Sequence, residues 1–260
     1  SVNHAMDILG GKGIISGPSN LLSVAYRHMP IAITVEGANI LTRSLIIFGQ
    51  GAVRCHPFVM REMQAVQQND AQALGQALIG HAGHVARNLW CSLFGAPLAG
   101  TPPAALEKEA RLLARLSAKY ALTCDLAMGL LGGRLKRMEL LSARLGDCLA
   151  HLYLASCCLW RYVFDANADL LPFARAAMRV QLDAAEEVLR DLYANLPTPG
   201  RRLIGALVLS RTAHLAPLRD VQLLALAQLL RTRRDLVTRL CPDVSTPKSG
   251  GLLDLMQALE

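Results

Sequence analysis

A carboxylate, Glu36, stands between two apolar runs in the stretch Ile31-Ala-Ile-Thr-Val-Glu-Gly-Ala-Asn-Ile-Leu-Thr-Arg-Ser-Leu45. Ile31, Ile33 and Val35 supply apolar walls, and Gly37 removes a side chain beside the carboxylate, so a substrate or cofactor can come close. Burial disfavours the charged form of such a group, raises its pKa and suits it to accept a proton. A plainer reading stands beside this one. Asn39 begins a run with helical spacing (Ile40, Leu41, Ser44, Leu45, Phe48), and Glu36 would then sit where that helix's dipole favours negative charge. The pattern by itself leaves base and cap both open.

Other groups carry weaker signals. Gly10-Gly-Lys-Gly13 offers main-chain amides to an anion, yet it lacks the Gly-x4-Gly-Lys-Ser/Thr spacing of a P-loop and reads equally as the glycine stop of a helix. His81 and His84 share one helix face at i, i+3, a spacing that holds a metal ion or simply places two polar residues on a wet side. Cys55 and His56 are adjacent and cannot easily face one ion together, so no metal is expected. The seven cysteines include no Cys-x-x-Cys pair and resemble small buried residues of a reducing compartment.

The elements that must position these groups read as helices throughout. Hydrophobic residues make up 52% of the chain and aromatics only 5%, with many Ala, Leu and Arg. That composition favours helix packing, and nothing alternates with period two for long enough to propose a sheet. The expected fold is an all-α helical bundle. A helix entered near Asn39 is expected to fade at Gly49-Gln-Gly51. Phe58 to Phe94 is helical with a polar break at Gln67-Gln-Asn-Asp70, and Gly95 to Pro103 is the clearest linker. Long helices follow over 104–130, 134–165 and 172–196, broken by Gly132-Gly133 and Pro197-Thr-Pro-Gly200, with shorter ones over 201–209, 217–230, 235–240 and 252–259. The formal charge of +7 is spread from Arg27 to Arg239 and not massed, so no nucleic-acid partner is expected. No apolar run reaches the roughly 18 residues that a membrane span needs.

The residues Gly10-Gly-Lys-Gly13, Arg27 and Thr34-Val-Glu-Gly-Ala-Asn39, followed by Leu41-Thr-Arg-Ser-Leu-Ile-Ile47, resemble the C-terminal helical domain of the flavin-dependent acyl-CoA dehydrogenases. Ile46-Ile-Phe-Gly-Gln-Gly-Ala52 and Arg54-Cys-His-Pro57 are similar to the bacterial long-chain type. Leu131-Gly-Gly-Arg-Leu-Lys-Arg137 and Leu152-Tyr-Leu-Ala-Ser156 are similar to that type's additional helical extension. The resemblance implies that residues 1–95 end the dehydrogenase's C-terminal helical domain, with its catalytic loop, and that 104–260 form the extension. It implies that Glu36 is the base that removes the α-proton of an acyl-CoA while the β-hydride passes to FAD, in fatty-acid β-oxidation. Gly37 then lies beside the substrate, and Gly10 and Gly11 meet the cofactor's pyrophosphate or adenosine part.

Departures bear on this transfer. Asp7 stands where many members have Gln, and Ala38 and Ile40 stand where many have a Thr-x-Gln pair contacting flavin, with Asn39 as a replacement for one of them. The partners implied are acyl-CoA, an electron-transfer protein as acceptor, the remaining dehydrogenase domains and a homo-oligomeric assembly. The place implied is the cytoplasm, with peripheral contact at the inner membrane through basic amphipathic helix such as 134–144. The opening at Ser1 without Met gives the expectation of an excised piece, inactive and weakly flavin-binding by itself. The alternative expectation is a non-catalytic helical module that packs as a pseudo-subunit or touches the membrane. The glycine pairs in Ile8-Leu-Gly-Gly-Lys12 and Leu130-Leu-Gly-Gly-Arg134 echo one another in its favour.

Overall fold

The computed structural model describes residues 2–17, 20, 22–34, 39–98, 100–210 and 218–242; every regular element among them is helical. Contacts divide the chain into two compact units, Ser1–Ile40 with Leu230–Glu260, and Leu41–Leu229. No helix among the described residues is long and apolar enough to cross a membrane.

In the first unit α1 (Val2–Leu9) runs into a 3₁₀ turn, Gly10–Gly13. The loop after it is tied by Asn20, whose side-chain amide lies within hydrogen-bond reach of the carbonyls of Lys12, Gly13 and Ile15 at 3.1, 2.8 and 2.7 Å. Its Oδ1 accepts from the main-chain N–H groups of Leu22 and Ser23, so one side chain folds the loop and caps α2 (Leu22–His28). Met29 and Pro30 turn the chain into α3 (Ile31–Thr34).

The next segment departs from expectation. From α4 (Asn39–Leu41) the chain enters a π-helical run, Thr42–Gln50, and continues without a break into α5 (Gly51–Cys55). Gly49 and Gly51 therefore do not end the helix. Burial of Phe48 and Ser44 holds the run down, and the Arg43–Asp147 ion pair fastens it sideways to the long helix Glu139–Asp165. Wide turns of this kind recur at functional positions. Close approach of the two depends on Gly146, where an added Cβ would meet the Arg43 carbonyl oxygen at 3.2 Å and Ile47 at 3.5 Å.

The remaining helices are α6 (Val59–Gln67), α7 (Ala71–Phe94), α8 (Glu107–Leu131), α9 (Glu139–Asp165), α10 (Leu171–Asn195), α11 (Arg201–Val208), α12 (Asp220–Thr232) and α13 (Arg234–Leu240). Their limits have local causes. Asp70 takes an extended conformation and its carboxylate accepts from Ala73 N–H at 2.9 Å, which resolves the polar break before α7 as an N-cap. Gly132 stops α8, and a 3₁₀ turn over Gly132–Arg137 reverses the chain. Pro172 in the first turn of α10 costs nothing, because the N–H it lacks has no intrahelical partner there. The expected linker, 95–103, joins α7 to α8, and both helices belong to the second unit.

The core of that unit lies where α8, α9 and α10 meet. Leu116, Leu145, Met178, Leu182 and Leu189 are all 0% exposed there. Thr123 and Tyr193 share a hydroxyl hydrogen bond of 2.8 Å inside it, and buried Glu109 faces Arg175 and Arg179 at 3.4 and 3.6 Å. Lys119 is buried and donates to the Ser210 carbonyl at 2.8 Å, just past the end of α11, and burial lowers its pKa to about 8. Leu182→Ala should lower unfolding free energy by about 2–5 kcal/mol through the cavity it leaves. Urea titration followed by far-UV circular dichroism reads this, and a loss below about 1 kcal/mol would mean that α10 is not seated in the core as described. The helix expected over 252–259 lies outside the described residues.

Candidate functional site

Glu36 and Gly37 lie outside the described residues; Asn39 is placed as the first residue of α4, with its side chain outside the description. Gly10 and Gly11 are exposed at the end of α1, and nothing lies within 4 Å of a Cβ added to either. Gly10 has φ +57, which favours glycine. This open stretch of backbone fits a surface contact with a cofactor such as FAD, at one edge and not as an enclosing cradle. Its amides follow a helix C-terminus, where the dipole is negative, so a pyrophosphate there would need positive charge from elsewhere.

The second unit assembles polar groups that are far apart in sequence. His56 sits in the turn between α5 and α6 with its side chain only 9% exposed, Glu62 is on α6, His81 and His84 are on α7, and Asp125 is on α8, 5% exposed. The proton inventory follows from the partners. His56 Nδ1 accepts the main-chain N–H groups of Phe58 at 3.2 Å and Val59 at 3.1 Å, so its proton is on Nε2, which donates to Asp125 Oδ1 at 2.8 Å. One imidazole thereby starts α6 and binds α8. The neighbouring Cys55 is exposed.

His81 lies between two carboxylates, with Nδ1 2.8 Å from Glu62 Oε1 and Nε2 3.2 Å from Asp125 Oδ1. Both nitrogens can donate only in the imidazolium form. Burial pushes the His81 pKa down, but hydrogen bonds to Glu62 and Asp125 outweigh it and the pKa is raised. His84 behaves oppositely. Its Nε2 accepts from the Asn88 amide at 2.9 Å, and burial, with His56, His81 and Arg87 adding to it against the pull of Asp125, lowers its pKa. The Phe58 ring stacks on His81 with centroids 5.9 Å apart and planes 9° apart, and a Cβ at Gly80 would collide with that ring.

One atom each of His56, His84 and Asp125 fall within 4.8 Å of one another, a separation that a divalent cation can bridge. The proton inventory opposes such an ion. A neutral imidazole coordinates through its unprotonated nitrogen, and that nitrogen of His56 is turned onto two main-chain N–H groups. The i, i+3 histidines are thus not simply two polar residues on a wet side; they are two members of one hydrogen-bonded cluster whose pKa values shift in opposite directions.

Beside the cluster lies a cavity of about 300 Å³, whose lining includes Phe48, Tyr120, Cys124, Met128, His56 and His84. Burial pushes the Cys124 thiol up to about 12 and raises that of Cys148 as well. Exposed Cys55 and Cys241 should therefore react quickly with a thiol reagent at pH 8, while Cys124 and Cys148 react only on unfolding. Mass-spectrometric mapping of labelled sites checks this, and rapid native labelling of Cys124 would contradict it.

A family described as acyl-CoA dehydrogenase, C-terminal, bacterial type, matches residues 53–260. The chain belongs to that family. No solved structure matches it. Every member of the histidine cluster falls inside the region that matches the bacterial-type acyl-CoA dehydrogenase domain, whereas Gly10, Gly11, Glu36, Gly37 and Asn39 precede it. Sequence reasoning missed Glu62 and Asp125. Their partners lie 19, 44 and 69 residues away, and no local spacing marks such a set. The one usable signal was the shared helix face of His81 and His84.

Proposed function

We propose that the chain contributes the catalytic base, Glu36, to a FAD-dependent dehydrogenase that introduces an α,β double bond into long-chain acyl-CoA during fatty-acid β-oxidation. The observation that carries this reading is the order of features along the chain. The Thr34-Val-Glu-Gly-Ala-Asn39 motif stands directly upstream of the bacterial-type acyl-CoA dehydrogenase match that starts at residue 53. In this reading a Glu36 oxygen takes the α-proton, Gly37 gives the thioester room beside it, and Gly10, Gly11 and Asn39 contact the cofactor. FAD supplies the hydride acceptor when bound. An electron-transfer protein then takes the electrons, and the complete enzyme works in the cytoplasm as a homo-oligomer. In the complete dehydrogenase, Glu36→Gln should keep the flavin's visible absorbance and lose its bleaching by substrate; normal bleaching would overturn the assignment.

The extension has a second role in this proposal, as a pseudo-subunit that packs against the rest of the dehydrogenase. The continuous buried seam of α8, α9 and α10 supports it, since long apolar helix faces that bury one another form a body with its own core. Membrane contact through the basic segment 134–144 has less support. Arg144 is committed to Asp191 at 2.5 Å, which leaves Arg134, Lys136 and Arg137 exposed. Co-sedimentation with vesicles of anionic phospholipid should show no salt-sensitive binding. Binding that falls as salt rises would restore the membrane reading.

A further inference from the structure

We propose that Glu62, His81 and Asp125 form a proton-operated latch, which clamps the α6–α7 hairpin onto α8 and opens along the α7–α8 seam when His81 loses a proton.

The groups facing His81 are few and come from every element around it. Glu62 reaches it from α6, Asp125 from α8, and His56 and Phe58 from the preceding turn, with ring centroids 4.7 and 5.9 Å away. Along α7 itself stand His84 and Arg87, and Cys124 is Asp125's neighbour on α8. One imidazolium therefore serves two carboxylates on two helices. It joins α6 to α8 through α7, and its positive charge is what makes both contacts attractive.

The two contacts are not equivalent, which fixes how the latch opens. Asp125 Oδ1 also receives the His56 proton at 2.8 Å, so it keeps a donor when His81 withdraws one, and its contact with His81 is the longer at 3.2 Å. The proton therefore leaves Nε2 for solvent, and Nδ1 keeps its own proton on Glu62. The Nε2 lone pair then faces the Asp125 oxygen, and an attraction becomes a repulsion. The hairpin stays whole while its hold on α8 weakens. The wall of the 300 Å³ cavity formed by His56 and His84 borders that seam. Asp125 Oδ2 is buried and has no hydrogen-bond partner among the described residues, so the carboxylate then depends on the His56 N–H at Oδ1.

The sign of the pH effect follows from linkage. A histidine whose folded pKa is raised adds stability that is fully present below its unfolded pKa, about 6.5. That stability is lost as pH rises through the folded pKa. Acidic conditions hold the latch shut and alkaline conditions release it.

The test uses the protein labelled with ¹⁵N-histidine, followed by two-bond ¹H–¹⁵N correlation between pH 5.5 and 9. At the acidic end His81 should show both nitrogens protonated; it should then lose the Nε2 proton with a midpoint above that of an ordinary histidine. Glu62→Gln, a substitution at the half-buried edge, should lower the midpoint, and its Tm deficit against the natural protein should shrink as pH rises. An ordinary midpoint, first loss from Nδ1, or a Tm deficit that stays constant with pH would each overturn the latch. A stoichiometric Co²⁺ absorption band that appears with loss of the His56–Asp125 hydrogen bond would overturn it too, in favour of a metal site.

Discussion

Glu36→Gln in the complete dehydrogenase should reduce turnover with long-chain acyl-CoA by about 10²-fold or more, with flavin still bound. The substitution keeps size and shape and removes only the ability to take a proton. Loss of flavin along with activity would point instead to a structural role, the helix-cap alternative that the apolar spacing after Asn39 leaves open. A cap contributes to stability, commonly by about 1 kcal/mol, and the same substitution would then lower Tm with little change in kcat. Measuring kcat, bound flavin and Tm on one preparation separates the two roles.

The second large effect is structural. Asp125→Ala should destabilise the protein by about 1.5–3 kcal/mol, because it leaves a part-buried imidazolium and a second imidazole N–H without their acceptor. Urea unfolding at pH 6.5 reads the loss. A double substitution, Asp125→Ala with His81→Leu, should cost less than the sum of the two single changes, since removing both partners leaves fewer unpaired groups. Strict additivity, with a small cost for Asp125→Ala alone, would mean that the cluster does not bind α7 to α8.

The parts of the fold that were legible in the sequence are those set by local chemistry. The polar break before α7 resolves into an Asp70 cap, the Gly132-Gly133 pair stops α8, and Pro172 sits where a helix start tolerates it. Apolar spacing over 104–130, 134–165 and 172–196 matches three long helices, because their buried faces are contiguous stripes. Elements governed by a distant neighbour were not legible. Gly49 and Gly51 read as a stop, yet the chain stays helical there as a π run held by burial of Phe48 and by the close approach that Gly146 allows.

The candidate site divides in the same way. Glu36, Gly37 and the glycines at 10 and 11 were read from a motif and its resemblance, and their chemistry depends on groups that the described residues do not include. The histidine cluster shows the reverse case. Its geometry is complete, but the two carboxylates that give His81 its charge come from α6 and α8, and helix periodicity carries no information about which faces meet. His81 and His84, identical in type and on one face, shift in opposite directions: burial lowers both, but at His81 hydrogen bonds to Glu62 and Asp125 outweigh it, and at His84 the pull of Asp125 does not.

The central claim is that Glu36 removes the α-proton of an acyl-CoA. Its most direct measurement is exchange of that hydrogen with D₂O, followed by mass spectrometry of saturated acyl-CoA incubated anaerobically with the complete dehydrogenase. The natural enzyme should incorporate deuterium at the α-carbon, and Glu36→Gln should slow that incorporation by about 10²-fold or more. Exchange in the variant at the natural rate would contradict the account, whatever happens to overall turnover.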